Sequence, residues 1–507
     1  ITLPKGVTSI GEFAFMGCSG LTSITLPVGV TSIGGDTFRG CSGLTSITLS
    51  TGVTSIGYNA FEGCSGITSI SFPTGLTSIG YKAFRGCSGL TNITLPKGVT
   101  SIGSAAFESC SGLKSITLSE GMTSIESYAF SDCGRLTSIT LPAGVTNIGD
   151  GAFKNCSSLK SITLPEGVTG IGERAFESCS GLTSIMLPES MEKIGIYAFM
   201  DCNGLTSITL PEGVTSIGEC AFSGCSGLTA ITLSEGMTGI ENFVFADCSG
   251  LTSITLPKSV TSIGEYAFSG CSSLTSITIP ESVRSIGEGA FLGCSGLTGI
   301  TLPADVTGIK DLVFYGCSGL TSITIPKSVT SIGKGAFKNC SSLKSITLPE
   351  GVTGIEDFVF EGCSGLTSMT LPKSVTSIGK SAFWGCSGLT SITLPKSVTS
   401  IGDYAFDGYI VISCYKDSVA YKYAIERNMV VKLIGETATP APATPTATPA
   451  KKGTTLTVSS KKIKVKVTSS SKKNPTVTIT KFTDKKAKKL TIPATVKVKG
   501  VTYKVTA

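Results

Sequence analysis

The chain has 507 residues, 19 cysteines and no histidine. Without histidine, neither a Ser-His-Asp triad nor a Cys-His pair can be built, and the common imidazole ligand of structural zinc is missing. The net charge of +7 averages two unlike parts: residues 1–436 hold 25 basic and 33 acidic residues, a balance of −8, and residues 437–507 hold 16 and 1, a balance of +15.

From the first residue the chain repeats one phrase, as in "LTSITLPKSVTSIGEYAFSGCSS" at 251–273. Cysteines fall at 18, 41, 64 and so on to 386 in steps of 23, which leaves only Cys220 and Cys414 off the ladder. A phenylalanine ladder runs three residues ahead, from Phe15 through Phe268 and Phe291 to Phe406. A unit this small cannot bury its own apolar face, so the repeats must stack into a quasi-one-dimensional solenoid. Within each unit "LTSITL" alternates in strand fashion, turning Ile254 and Leu256 inward and Ser253 and Thr255 outward. Pro257 ends that strand because it lacks an N–H, and "VTSIG" gives a second short extended piece that stops at Gly264. In "EYAFSGC", Ala, Phe and Cys recur at helix-like spacing over a length that allows about two turns. Rungs about 4.8 Å apart predict a rod or arc on the order of 85 Å long.

This unit, with its in-phase copies over residues 1 to about 435, resembles the BspA-like leucine-rich repeats of bacterial surface proteins. The resemblance implies a right-handed α/β leucine-rich-repeat solenoid over 1–411, with a parallel sheet on the concave side and short helical or irregular turns on the other. It also implies extracellular adhesion to host proteins or to other cells. Fold likeness does not name the ligand.

Beyond the array, residues 412–436 break the period: Asp417 or Ser418 can cap a helix running to about Asn428, followed by a short strand. This segment reads as a helical C-terminal cap covering the last rung. Residues 437–450, "TATPAPATPTATPA", read as an extended Pro/Thr/Ala linker of about 40 Å. Residues 451–507 are rich in Lys, Thr and Val and alternate as a small unit of short antiparallel strands. Their lysines suit a solvated strand edge, or contact with an anionic polymer; no aromatic interleaving favours nucleic acid. The chain starts and stops in mid-pattern, so it reads as a fragment, and the missing signal peptide is uninformative.

The cysteine ladder, typified by Phe268, Cys271, Phe291 and Cys294, reads as buried thiols that close each turn against phenylalanine. Parallel neighbouring side chains fit the disulfide dihedral poorly. A zinc site on Cys220 and Cys225 lacks a second pair and any histidine. Glycine-rich steps such as 285–296 recur in every unit as turns, so they are not read as phosphate loops.

Columns that vary between copies mark exposed positions. Arg39, Glu62, Arg85 and Glu108 alternate in sign on successive rungs and can pair. Glu166, Glu189, Glu212 and Glu235 instead form an acidic stripe, either a solvated edge or a weak site for a cation or basic partner. Aromatics combine contact area with low ordering cost. Tyr128, Tyr197, Phe243, Tyr266, Phe358 and Tyr404 share one column, and Tyr315 and Trp384 another, giving a candidate binding surface unless the first column packs between rungs. The expectation is a non-enzymatic, secreted or wall-associated module that binds surface or matrix proteins or glycans multivalently, without cofactor, membrane span or specific nucleic acid. A stiff stalk presenting another domain is the alternative. The outward Ser and Thr are also similar to the hydroxyl ladders of ice-binding β-solenoids, though concave curvature opposes that reading.

Overall fold

The computed structural model describes residues 1–434, 449–458, 463–471, 474–482, 494–498 and 501–506. The chain forms two units, 1–434 and 435–507. Most of the 437–450 linker expected from composition lies outside the described residues.

Most rungs of the first unit carry two short strands, which pair in parallel with a neighbouring copy in a series of short sheets. Ser253–Thr255 pairs with Ser276–Thr278, placing Ile254 opposite Ile277. Ser262–Ile263 pairs likewise with Ser285–Ile286. Alternation decides what is buried: Ile254 and Leu256 face the core while Ser253 and Thr255 face solvent. Pro257 closes the first strand, its carbonyl accepting from Val260 N at 3.1 Å. Gly264 ends the second for a different reason. A Cβ there would lie 2.6 Å from the Glu241 carbonyl carbon of the preceding rung, so the closeness of the rungs requires glycine.

The third segment departs from the helix-like spacing read in "EYAFSGC". Residues 265–270 are turns, because Tyr266 (φ 53°) and Gly270 (φ 73°) both occupy the left-handed region, which a right-handed helix excludes. Alternate N–H groups then point along the stack: Tyr266 N donates to Glu288 O (2.8 Å), Phe268 N to Ala290 O (2.8 Å) and Gly270 N to Leu292 O (2.7 Å). The α/β class is therefore corrected to a parallel-strand β-solenoid. Among the described residues the only helix is Val419–Glu426.

One continuous core fills the stack. Phe268 and Phe291 are fully buried, with ring centroids 5.5 Å apart and planes within 3°. Near-parallel rings at that distance are offset-stacked, an arrangement worth about 0.5–1.5 kcal/mol per pair beyond area burial. The column runs without a break from Phe15 to Phe406.

At its C-terminal end the unit shortens its period. Ile392 pairs with Ile412 and Ile412 with Val431, offsets of 20 and 19 residues in place of 23. The helix joins the strands Val411–Cys414 and Val431–Leu433. Its N-cap is Ser418, whose hydroxyl accepts from Tyr421 N at 3.1 Å, and Asp417 sits just outside at φ 59°. It buries Ala420, Tyr423 and Ala424, and Tyr423 meets the Phe406 ring edge-on at 6.1 Å.

The second unit is a five-stranded sheet ordered Thr455–Val458, Ile463–Ser469, Thr476–Phe482, Val501–Thr506, Thr495–Val498. Neighbours are antiparallel except Thr476–Phe482 and Val501–Thr506, which run parallel. Val465, Val467, Val477, Val496 and Tyr503 make its core. The Tyr503 hydroxyl accepts from Ala450 N at 2.8 Å.

Candidate binding surface

The ladder cysteines serve the turns. Cys271 N donates to its own Phe268 carbonyl at 3.2 Å, and the Cys294 thiol of the next rung donates to the same oxygen at 3.1 Å. From Phe15 to Phe360 each ladder phenylalanine carbonyl thus has both lone pairs engaged, one from its own turn and one from the following rung. All nineteen cysteines are free thiols. Burial pushes the Cys271 thiol up to about 12, partly offset by its backbone hydrogen bond, so these sulfurs are poor nucleophiles and poor metal ligands. Cys220 is half-buried and Cys225 buried. Among the described residues no group of three or more Cys, Asp or Glu side chains is placed to hold a metal ion.

The principal aromatic column lies on the left-handed position of the turn: Tyr128, Tyr197, Phe243, Tyr266, Phe358 and Tyr404 have φ between 53° and 62°. The same column holds Gly151 (φ 59°), Gly289 (φ 57°) and Gly335 (φ 61°). A large residue there is unfavourable, so its ring must gain something in return. Part of the gain is packing along the stack. The Tyr128 ring lies over Gly151 and the Tyr266 ring over Gly289, occupying the space a Cβ would need. Phe243 stacks on Tyr266 at 5.1 Å, and the Arg174 guanidinium lies 4.3 Å from the Tyr197 ring centroid. The Lys338 amine sits 5.1 Å from Phe358 and 5.9 Å from Tyr315. The Tyr266 hydroxyl donates to Glu288 at 2.7 Å, which together with burial pushes its pKa up to about 12.

The eight aromatics divide by exposure. Tyr197, Phe243, Tyr266, Tyr315 and Phe358 are half-buried, whereas Tyr128 (40%), Trp384 (44%) and Tyr404 (62%) are exposed. Trp384 and Tyr404 come from different columns on adjacent rungs, yet their rings meet edge to face at 5.9 Å. Two more exposed rings, Tyr58 and Tyr81, stand one position earlier in the turn. An aromatic directly after Ile-Gly on two successive rungs was the signal that could have found them.

The alternating charges pair along the stack: Glu62 bridges Arg39 and Arg85, each at 2.9 Å, and Arg85 reaches Glu108 at 2.7 Å. Glu166, Glu189, Glu212 and Glu235 are all exposed, on the turn after the first strand. Glu166 lines an open groove of ≈ 530 Å³ over Ser138–Leu141 and Ser161–Thr163. A similar groove of ≈ 690 Å³ runs over Ser322–Ile325 and Ser345–Gly351. Both follow the face of the Ser-Ile-Thr strands, where Met186 is 70% exposed in place of the usual threonine. No helix of the described residues is long and apolar enough to cross a membrane.

The model of the BspA type leucine-rich repeat region matches residues 1–97, 77–206, 192–321 and 307–416. No curated protein matches the chain. Among solved structures, a leucine-rich repeat protein from Bacteroides ovatus is 30% identical, with 82% of this chain and 92% of that one covered and a TM-score of 0.41. A leucine rich cell surface protein from Faecalibacterium prausnitzii is 29% identical, with 80% and 90% covered and a TM-score of 0.39. A leucine-rich repeat protein from Eubacterium ventriosum is 26% identical, with 66% and 82% covered and a TM-score of 0.38. With the family model's matches together spanning residues 1–416, well over half of the chain, the chain belongs to the BspA-type leucine-rich repeat family.

Proposed function

We propose that the first unit is a non-catalytic binding array at the bacterial surface, holding extracellular proteins or glycans through many weak contacts along its turns. The observation that carries this reading is the Trp384–Tyr404 pair: the chain's single tryptophan and a tyrosine at φ 56° stand exposed and in contact. Exposed rings held by a rigid stack lose little freedom on binding, and repetition along the array raises avidity without a deep pocket. Tyr128, Tyr58 and Tyr81 extend the same chemistry to other rungs. The family likeness supports an extracellular setting. The segment 412–436, with its shortened period and its helix, serves as the cap that closes the last rung of the array. The acidic stripe at Glu166, Glu189, Glu212 and Glu235 is a secondary site for basic partners.

The test is binding of the whole chain to a panel of purified matrix proteins and glycans, with Trp384 emission as a direct report. Replacing Trp384 and Tyr404 by serine is expected to weaken the best ligand at least tenfold. Unchanged affinity would remove these rings from the site; no binding anywhere on the panel would make the array a spacer.

A further inference from the structure

We propose that one face of the second unit's sheet is a docking site for a linear phosphate-bearing polymer without nucleobases, a partner distinct from anything the first unit binds. The residues come together through register. Lys464 and Lys466 project from one strand, and Lys464 is directly opposite Lys481 on the next. Lys504 pairs with Thr495 on one side and with Thr476 on the other, and Lys497 pairs with Thr502. Paired residues share a face, so these five lysines stand on four adjacent strands, on the side away from Val465, Val467, Val477 and Tyr503. All five are exposed, and among the described residues none makes an ion pair. Residues 437–507 contain 16 lysines against a single acid, Asp484.

Like charges directly opposite one another destabilise a sheet. Here strands about 4.8 Å apart and residues about 6.8 Å apart along a strand bring the amines well inside a Debye length of about 8 Å. A bound polyanion removes that repulsion and releases its own counterions. Phosphate is favoured over planar carboxylate because residues 437–507 hold no arginine, the residue suited to bidentate carboxylate recognition. Lysine acts on phosphate as a point charge, and the interleaved Thr476, Thr495 and Thr502 offer hydroxyl donors. Tyr503 is buried on the other side of the sheet and so offers bases nothing to stack on.

The experiment is calorimetric titration of the full chain with sodium polyphosphate at several salt concentrations. The comparison is a variant with Lys464, Lys466, Lys481, Lys497 and Lys504 all changed to threonine, a good strand former. Circular dichroism first establishes that both proteins are folded. The five-fold variant is expected to lose at least tenfold in affinity, and its slope of log K against log salt is expected to fall by about 3 to 4, at roughly 0.7 per contact for a flexible polyanion. A control removing Lys451 and Lys452, which are not on these paired positions, should leave most of the binding intact. An equal loss per charge in the control would overturn the proposal, as would tighter binding of heparin or of oligothymidylate than of polyphosphate.

Discussion

The thiol of Cys271 donates to the carbonyl of Phe245, 26 residues earlier and one rung away, at 3.1 Å. The same bond recurs from Cys41 to Phe15 through Cys386 to Phe360, so the ladder cysteine is a rung-to-rung connector as well as a small apolar filler. Changing Cys271 to alanine leaves one lone pair of a buried carbonyl unmet and opens a small void. The expected cost is about 1–2 kcal/mol, read as a lower urea midpoint with an unchanged slope. No shift in midpoint would reduce the thiol to a bystander.

Burial holds the Cys271, Cys294 and Cys317 thiols above the ordinary value of 9.0, with Cys271 and Cys317 at about 12. The folded state thus binds protons more tightly than the unfolded one. This contribution to stability is complete below pH 9 and declines as pH rises through about 12. Repeated over the ladder, it predicts a steep fall in melting temperature between pH 9 and 12. At pH 8, alkylation by iodoacetamide, followed by mass spectrometry, should label exposed Cys18 first and half-buried Cys220 next, sparing the buried ladder.

Gly289 lies at φ 57° beneath the Tyr266 ring. Gly289→Ala therefore meets two penalties, a left-handed backbone of about 1–2 kcal/mol and a clash with the ring. Adding Tyr266→Ala should recover the steric part and leave the backbone part. A double-mutant cycle in thermal unfolding separates them, and strictly additive losses would mean that the ring does not rest on the glycine.

Arg85 sits between Glu62 and Glu108 and is 41% exposed in its side chain. Arg85→Ala should cost less than about 1 kcal/mol because solvent screens the pairs. The loss should shrink further in 0.5 M salt. Arg85→Glu, which sets three carboxylates in a row, should cost more, and that excess should respond to salt most strongly.

Much of the fold was legible in the residues. The 23-residue step became a physical translation, as the pairing of Ser253 with Ser276 shows, and the alternation in "SITL" assigned inside and outside correctly at Ile254 and Thr255. The sign alternation at Arg39, Glu62, Arg85 and Glu108 was readable for the same reason, since like columns become neighbours. Of the helical and irregular turns both open from the sequence, the irregular one is found, because Ala, Phe and Cys at helix-like spacing say nothing of the φ of the residues between them. Those intervening positions hold Gly, Asn and Asp in many copies, as at Gly270, Asn339 and Asp247, and that pattern is the mark of left-handed backbone.

Periodicity alone dictated that identical residues would stack into a single spine of phenylalanine and cysteine, because a rung so short has no other way to exclude water from its apolar side chains. Whether a given tyrosine is free or occupied was a matter for three-dimensional packing. Tyr266 leans onto Gly289 and bonds Glu288, while Tyr404, in the same column, stays open beside Trp384. The difference lies in what the neighbouring rung presents, and exposure depends on that contact rather than on the residue's own place in the repeat.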